Sequence, residues 1–320
     1  MTVTIGVDIG GTKIAAGAVS ADGEVESVGR RSTPKRDADA VVEVITELVG
    51  SLVKTSGSEV LGVGLGVAGF VDASQSVVLT ASNLGWSDEP IKEKLQQRLS
   101  LPVVVENDAN AAAWGEYRFG AGRGRDEMIM VTVGTGVGGG LILGGRLQRG
   151  AHGVGGEFGH MVIVPEGRRC GCGRHGCWEQ YASGSSLVRY ARELASEERD
   201  DAGLLLSLGD GTPEGVQGPH VTEAAKDEDP VAMEAFDRLG LWLGRGMADI
   251  AALLDPEVFV IGGGVVESGD LVLRPTIASF EGSLVSPEVR PPTPIIPASL
   301  GNAAGIVGAA DLARPEQVAD

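Results

Sequence analysis

The most regular signal along the chain is a short apolar run that ends at a glycine turn. Residues 3–19, VTIGVDIGGTKIAAGAV, read as an apolar strand, a Gly-Gly turn and a second strand of small apolar residues, which predicts a β-hairpin. The outline returns over 129–143, IMVTVGTGVGGGLIL. Aligning Ile5 with Ile129 also aligns Gly10 with Gly134, the mark of a duplicated supersecondary unit. A related strand and glycine turn appears at 61–69, LGVGLGVAG, and again at 258–266, VFVIGGGVV, so each half carries two such turns.

Between these runs the period changes. Over 37–53 the apolar residues Val41, Val44, Ile45, Leu48 and Leu52 fall at helical spacing, and 91–99 continues the pattern after Pro90. Helices are also predicted over 109–117, opening on Asn107-Asp108, over 187–194, and within 222–254. The segment 199–219, with clustered Asp, Gly and Pro, is expected to be a mobile or insertion loop. Near the C-terminus Asn302 is placed to cap a helix running to Leu312, in which Gly305 and Gly308 allow close packing. Strands alternating with helices predict α/β architecture.

Composition narrows the class. With 320 residues, 42% hydrophobic and 22% charged, the chain has room for two lobes with ample core. A net charge of -18 argues against nucleic-acid or anionic-membrane binding, which relies on clustered Lys and Arg. An anionic cofactor would then be held by a divalent metal and backbone amides. The longest apolar stretch, 247–266, is broken by Asp249, Asp255, Pro256 and Glu257 and is too polar to span a bilayer. The first residues, MTVTIGVDIGG, show neither the basic nor the apolar region of a secretory signal, so a cytoplasmic location is expected.

All three cysteines fall in one short stretch. His160, Cys170, Cys172 and Cys177 stand as His-x9-Cys-x-Cys-x4-Cys within 155–184, GGEFGHMVIVPEGRRCGCGRHGCWEQYASG. Four soft ligands at this spacing suit tetrahedral zinc in a closed Cys3His site, which leaves no position for a reacting water and is therefore structural. A Cys170–Cys177 disulfide with Cys172 free is the competing reading, although it leaves an odd thiol. Glu157 and Glu179 bracket the cluster. They are either ligand-binding carboxylates whose geometry the metal sets or ordinary surface charges.

In DIGGTK, Gly10 and Gly11 expose backbone amides at a hairpin tip, while Thr12 and Lys13 add a hydroxyl and a cation. Such a concavity holds an anion without net positive charge; a plain hairpin turn is the other reading. Asp8, just before the turn, is placed to hold or orient water on Mg2+. Gly134-Thr135-Gly136, with Gly138, Gly139 and Gly140, repeats the offer. Neither turn is a Walker A loop, and Gly262-Gly263-Gly264 makes no dinucleotide fingerprint. Over 102–116, PVVVENDANAAAWGE, a buried strand passes into a helix, and Asp108 near the helix N-terminus is favoured in its ionised form by the dipole. It can accept a hydroxyl proton during phosphoryl transfer, or simply cap the helix.

Four motifs in this order resemble the ROK sugar-kinase family, most of all its bacterial ATP-dependent glucokinases. They are DIGGTK from Asp8, ENDANAAAWGE from Glu106, TVGTGVGGGLILGGRLQRGAHGVGGEFGH over 132–160, and CGCGRHGCWE from Cys170. The resemblance covers nearly the whole chain. It implies an actin/hexokinase-like (ribonuclease H-like) duplicated α/β fold, with two lobes around a central cleft. The small lobe would comprise 1–109 plus 301–320, and the large lobe 110–300 with the zinc loop.

The resemblance also implies an activity: ATP-dependent phosphorylation of glucose at the 6-hydroxyl with Mg2+, Asp108 acting as general base. Asn83, Asn107, Asp108, Glu157, His160 and Glu179 would line the sugar site. Asp8, Gly10, Gly11, Thr12, Lys13, Gly134, Thr135 and Gly136 would serve the phosphates, and Gly262, Gly263 and Gly264 would approach the adenosine. His160, Cys170, Cys172 and Cys177 would hold structural Zn2+. The zinc is then expected to brace the sugar carboxylates while standing apart from the phosphate turns and Asp108. Alternatives within the family are fructose, mannose, allose or N-acetylmannosamine as acceptor and polyphosphate as donor. The family's sugar-responsive repressors carry a winged-helix domain ahead of the kinase-like part, for which a first phosphate turn at Asp8 leaves no room. A homodimer or homotetramer is implied as well.

Overall fold

The computed structural model describes residues 2–291 and 293–318; positions 1, 319 and 320 of the expected small lobe lie outside the described residues. The chain forms two compact units. The first comprises Met1–Met130, Gly139–Gly156 and Ala298–Asp320, and the second Val131–Gly138 and Glu157–Pro297.

In the first unit β1 (Thr2–Ile9), β2 (Lys13–Val19) and β3 (Val25–Ser32) form an antiparallel ribbon. Helix α1 (Ala38–Ser56) returns the chain to β4 (Glu59–Val67), parallel to β1. A small antiparallel sheet of β5 (Phe70–Val71), β6 (Val78–Ala81) and β7 (Trp86–Glu89) precedes α2 (Ile91–Leu99). Then β8 (Val103–Asn107) pairs parallel to β4 and runs straight into α3 (Asp108–Phe119). The resulting order is β3-β2-β1-β4-β8. The helix predicted over 37–53 is α1, capped by Asp37, whose carboxylate accepts from Ala40 N at 3.0 Å. Its residues Val41, Val42, Ile45, Leu48, Val49 and Leu52 are buried in the core, each worth about 1.5–3 kcal/mol of transfer free energy.

The ribbon recurs as β9 (Met128–Val133), β10 (Val137–Leu143) and β11 (Arg146–Gln148). There follow α4 (Glu179–Ala182), α5 (Gly184–Glu197), α6 (Gly203–Leu208), α7 (Gly218–Lys226) and α8 (Pro230–Leu254). The chain closes with β12 (Val258–Gly262), α9 (Asp270–Ser283), β13 (Ile295–Pro297), α10 (Ala304–Leu312) and α11 (Pro315–Val318). The second sheet is ordered β11-β10-β9-β12-β13. Position for position this repeats the first sheet, and the strands that correspond, β1 with β9 and β4 with β12, are those whose glycine turns match in sequence.

Strand glycines let a helix lie unusually close to the first sheet. Gly17, Gly6 and Gly64 stand side by side across β2, β1 and β4. A Cβ on Gly6 or Gly64 would collide with the carbonyls of Ile306 or Ala309, so the row is the bed of α10. Gly308 on the other side of α10 gives the same clearance to α3, since its Cβ would strike Ala111 O.

The first compact unit runs on past 110 because α3 packs on α10, and because Gly140 of β10 admits Ala113 of α3. Three expectations change. Gly138, Gly139 and Gly140 belong to a strand and not to the second turn. The expected loop at 199–219 contains α6 and the start of α7: Ala202, Leu205 and Leu206 are buried, and Asp229 accepts from Leu205 N at 3.0 Å. Apolar burial overrides the local turn composition. Finally, Asn302 does not cap α10; a 3-10 turn over Gly301–Ala303 feeds the helix without a side-chain cap.

Candidate active site and metal centre

The registers of the first sheet bring the predicted acidic residues to one edge. Asp8 pairs with Gly66, which pairs with Glu106; one step on, Ile9 pairs with Val67 and Val67 with Asn107. Because β1, β4 and β8 are parallel, these are the C-terminal ends of three adjacent strands, where open α/β sheets bind their ligands. Gly66 lies between the two aspartates: a Cβ there would be 3.6 Å from the Asp108 Cα. Burial raises the pKa of Asp8 above the ordinary carboxylate range, against the pull of Lys13.

The N-cap position belongs to Asn107, although Asp108 Oδ1 also accepts from Ala109 N at 2.9 Å. Asn107 Oδ1 accepts from Ala109 N at 2.9 Å and from Asn110 N at 3.0 Å, and its Nδ2 donates to Gly69 O at 3.1 Å. With both amide lone pairs committed, Asn107 has a single N–H left for a ligand. Its main work is to place Asp108 in the first turn of α3. Behind it sits Glu106, 2% exposed. Glu106 Oε1 accepts from Asn107 N at 2.9 Å and Asn110 Nδ2 at 3.0 Å, while Oε2 takes Gln75 Nε2 at 3.2 Å and the Arg149 guanidinium.

Sequence reasoning had assigned no role to Glu106, nor to Glu116, whose carboxylate accepts from Ala121 N, Ser299 N and Leu300 N. The signal was there in the length of ENDANAAAWGE. Glu106, Asn110, Trp114 and Glu116 are all buried scaffolding under Asp108, and Trp114 Nε1 donates to buried Asp311 of α10 at 2.8 Å.

The first glycine turn closes with Gly10 N donating to Lys13 O at 3.0 Å. Asn83, in the turn between β6 and β7, is brought beside it: a Cβ on Gly11 would be 3.1 Å from the Asn83 Cβ. A cleft of about 400 Å3 opens here, lined by Thr12, Lys13, Arg30, Arg31 and Ser32. Arg30 and Arg31 are cations that the motif did not include; only the β2–β3 pairing places them here.

In the second unit the four soft ligands converge. Cys170 Sγ is 3.6 Å from His160 Nδ1, Cys172 Sγ is 3.6 Å from Cys177 Sγ, and all four ligand atoms lie within 4.8 Å of one another. Tetrahedral zinc with bonds of about 2.0–2.3 Å needs its ligands about 3.5–3.8 Å apart, and a disulfide needs about 2.05 Å. The donor set therefore fits zinc, and all three cysteines are free. Burial, with Glu179 adding to it, raises the Cys170 thiol pKa far above normal, so metal binding must displace its proton. The hairpin is tied by Cys170 N to Arg174 O and Ile163 N to Gly176 O. Gly173 and Gly176 have φ of +90° and +77°, the left-handed region where glycine carries no penalty. Trp178 turns inward: fully buried, it lies over Gly246 of α8 and donates to Trp242 O at 2.7 Å.

The zinc loop also reaches the second glycine turn, contrary to the expectation that it stands apart. Glu179 Oε1 accepts from Cys170 Sγ at 3.0 Å, and its Oε2 is 2.7 Å from where a Gly136 Cβ would be. Gly159, one residue before His160, packs against Val137 O. The turn itself is held by Gly184 N on Gly134 O at 2.7 Å and Ser185 Oγ on Thr135 O at 2.7 Å, both from the start of α5. Gly263, with φ of +94°, lies against Val133, so the turns after β9 and β12 are adjacent. Gly264 faces open space. His160 Nε2 is 3.9 Å from Glu157 Oε2. Partial desolvation raises the Glu157 pKa, His160 working against it and Glu179 with it.

A duplicated sheet, paired glycine turns, an acidic strand edge and a Cys3His hairpin define the class, and the comparisons specify it. The ROK family model matches residues 4–316, and the chain belongs to the ROK family. Its fold is the actin/hexokinase-like α/β fold of the ROK sugar kinases. The chain is 52% identical over 315 residues to a glucokinase of Streptomyces coelicolor, covering 98% of each. The crystal structure of a ROK family glucokinase from Streptomyces griseus in complex with glucose and AMPPNP matches with a TM-score of 0.87 and 53% identity, over 97% of this chain and 99% of that one. A xylose repressor of Bacillus subtilis is 31% identical over 87% of this chain and 67% of its own length. Among the described residues no helix is long and apolar enough to cross a membrane.

Proposed function

We propose that the protein is a glucokinase that transfers the γ-phosphoryl group of ATP to the 6-hydroxyl of glucose. The observation that carries this reading is the edge of the first sheet, where Asp108 starts a helix capped by its neighbour and lies against Gly66, the register partner of the partly buried Asp8. The likeness to glucokinases above 50% identity over nearly the full chain supports it.

Asp108 accepts the proton of the attacking hydroxyl. Asp8 would hold Mg2+, which supplies charge neutralisation at the phosphates when bound. The amides of the Gly10 and Gly134 turns, with Thr12, Lys13 and Thr135, orient the phosphates, and Gly262, Gly263 and Gly264 give the adenosine close backbone approach. Asn83, Asn107, Glu157, His160 and Glu179 bind sugar hydroxyls, each carboxylate accepting from two. His160 has a nitrogen for each role, Nδ1 toward the sulfur and Nε2 for a ligand. His160, Cys170, Cys172 and Cys177 would hold structural zinc, which supplies a cross-link fixing Glu157 and Glu179. The lobes of a sugar kinase correspond to 1–109 with 301–320 and to 110–300 in this reading, and the enzyme works as a homo-oligomer in the cytoplasm.

A coupled assay of ADP release over glucose, mannose, fructose, allose and N-acetylmannosamine, with ATP or polyphosphate, tests it. Glucose with ATP and Mg2+ should give the highest kcat/KM. A higher value for another hexose or for polyphosphate replaces the substrate assignment, and no sugar-stimulated turnover removes the kinase reading.

A further inference from the structure

A cavity of about 750 Å3 within the first unit belongs to none of the sites above. That is the size of a small-molecule site. Among the described residues Lys92, Arg146 and Arg149 line it and no carboxylate does, in a chain of net charge -18. Among the described residues Arg149 is ion-paired, with Glu106, while Lys92 and Arg146 are the other two cations of the lining. Gln75 and Gln148 add polar lining. Their amide nitrogens are engaged, with Glu106 at 3.2 Å and Leu143 O at 3.2 Å, which leaves carbonyl oxygens to accept from an occupant. Trp114 gives the cavity an apolar surface. Cations for a phosphate, acceptors for hydroxyl hydrogens and a ring for C–H faces together describe a phosphorylated polyol.

The same cavity touches the support of Asp108. Arg149 is the partner of Glu106, and Glu106 holds Asn107 N and the Asn110 amide that begin α3. An anion drawing the guanidinium outward weakens its hold on Glu106, and the turn carrying Asp108 loses part of its support. We propose that this cavity binds a small phosphorylated polyol, its phosphate on Lys92, Arg146 and Arg149, and that the occupant changes turnover at Asp108 through the Arg149–Glu106 pair.

Titration calorimetry of the full-length protein with sorbitol 6-phosphate tests the site, with sorbitol and inorganic phosphate as its two separate halves. The wild type should bind the phosphorylated polyol more tightly than either half. The double variant Lys92→Gln/Arg146→Gln should lose roughly tenfold or more in affinity, the value of one to two charge-assisted hydrogen bonds. Arg146 is exposed and Lys92 half-buried, and neither belongs to the core, so the variant should keep the wild-type Tm and its kcat/KM for glucose without ligand. Adding sorbitol 6-phosphate should shift kcat of the wild type by roughly twofold or more and leave the variant unmoved. No binding, or equal affinity in both proteins, overturns the site; binding without any shift in kcat overturns the link to Glu106. Because calorimetry needs no turnover, a failure of the glucokinase reading would leave the binding result standing.

Discussion

The first sheet runs β3-β2-β1-β4-β8 and the second β11-β10-β9-β12-β13, yet the corresponding connections share almost nothing. Between β3 and β4 the chain makes one helix, α1, whose apolar face completes a core. Between β11 and β12 it makes the zinc hairpin and α4 to α8. The first copy holds its turn and Asp108 by close backbone packing, with Gly6, Gly17 and Gly64 beneath α10 and Gly308 against α3. The second holds Gly134-Thr135-Gly136 from above, by Glu179, Gly159 and the start of α5. One strand plan can thus be made rigid by opposite means: missing side chains in one copy, and an inserted metal-binding element in the other. In the proposed reading the chemistry follows the method, since the proposed proton acceptor stands on the glycine-packed copy and the proposed sugar carboxylates on the copy with the Cys3His cluster.

The contrast breaks first at Asp108. Asp108→Asn should lower kcat by on the order of 10² to 10⁴ and leave stability nearly unchanged, because Asn107 supplies the cap; turnover near wild type would move the base elsewhere. Glu106→Gln should cost about 2–3 kcal/mol in denaturant unfolding, the penalty of weakening a buried charged network with Arg149. It should also lower kcat more than it raises KM for either substrate, as expected of a residue that positions Asp108.

Cys177→Ser sharpens the second copy. Losing the brace should raise KM for glucose and for ATP, each by about 10- to 100-fold, because Glu179 meets both the zinc hairpin and Gly136. If only the glucose constant moves, the second turn stands independently of the metal.

Asp8→Asn gives a pH signature. The folded state raises the Asp8 pKa, so ionising it costs stability as pH rises through the raised value. Removing that ionisation should increase Tm at neutral pH, with the gain vanishing below the ordinary value of 3.8, while ATP-dependent turnover falls. A lower Tm at neutral pH would contradict it. The smallest effect belongs to Gly305→Ala: its Cβ would have Asp8 at 3.8 Å and no closer neighbour, so helix propensity should add about 0.5–1 kcal/mol to stability. Gly308→Ala, three residues on, should instead destabilise by about 1–3 kcal/mol through overpacking.

Much of this was legible before folding. The alignment of Gly10 with Gly134 anticipates the repeated sheet, because a strand pair joined by a tight turn writes its own local signature. The Cys3His spacing anticipates the metal centre, because ligands close in sequence leave few other geometries. Other features were not legible. ENDANAAAWGE shows Asp108 as a candidate base and hides Glu106 and Glu116, since a buried carboxylate looks like an exposed one until its partners, Arg149 and Ser299 among them, arrive from distant segments. Clustered Asp, Gly and Pro at 199–219 suggested a loop, and α6 forms there because Leu205 and Leu206 find a core that local composition cannot report.

The sequence by itself determined the duplication, the glycine turns and the Cys3His cluster, each encoded in a local pattern. Only the tertiary structure decided that Asp8 of β1 and Asp108 at the start of α3 both lie by Gly66, that glycines in strands are there for α10, and that the zinc hairpin rests on the second turn. These depend on register and close approach between segments far apart in the chain, which no local pattern carries.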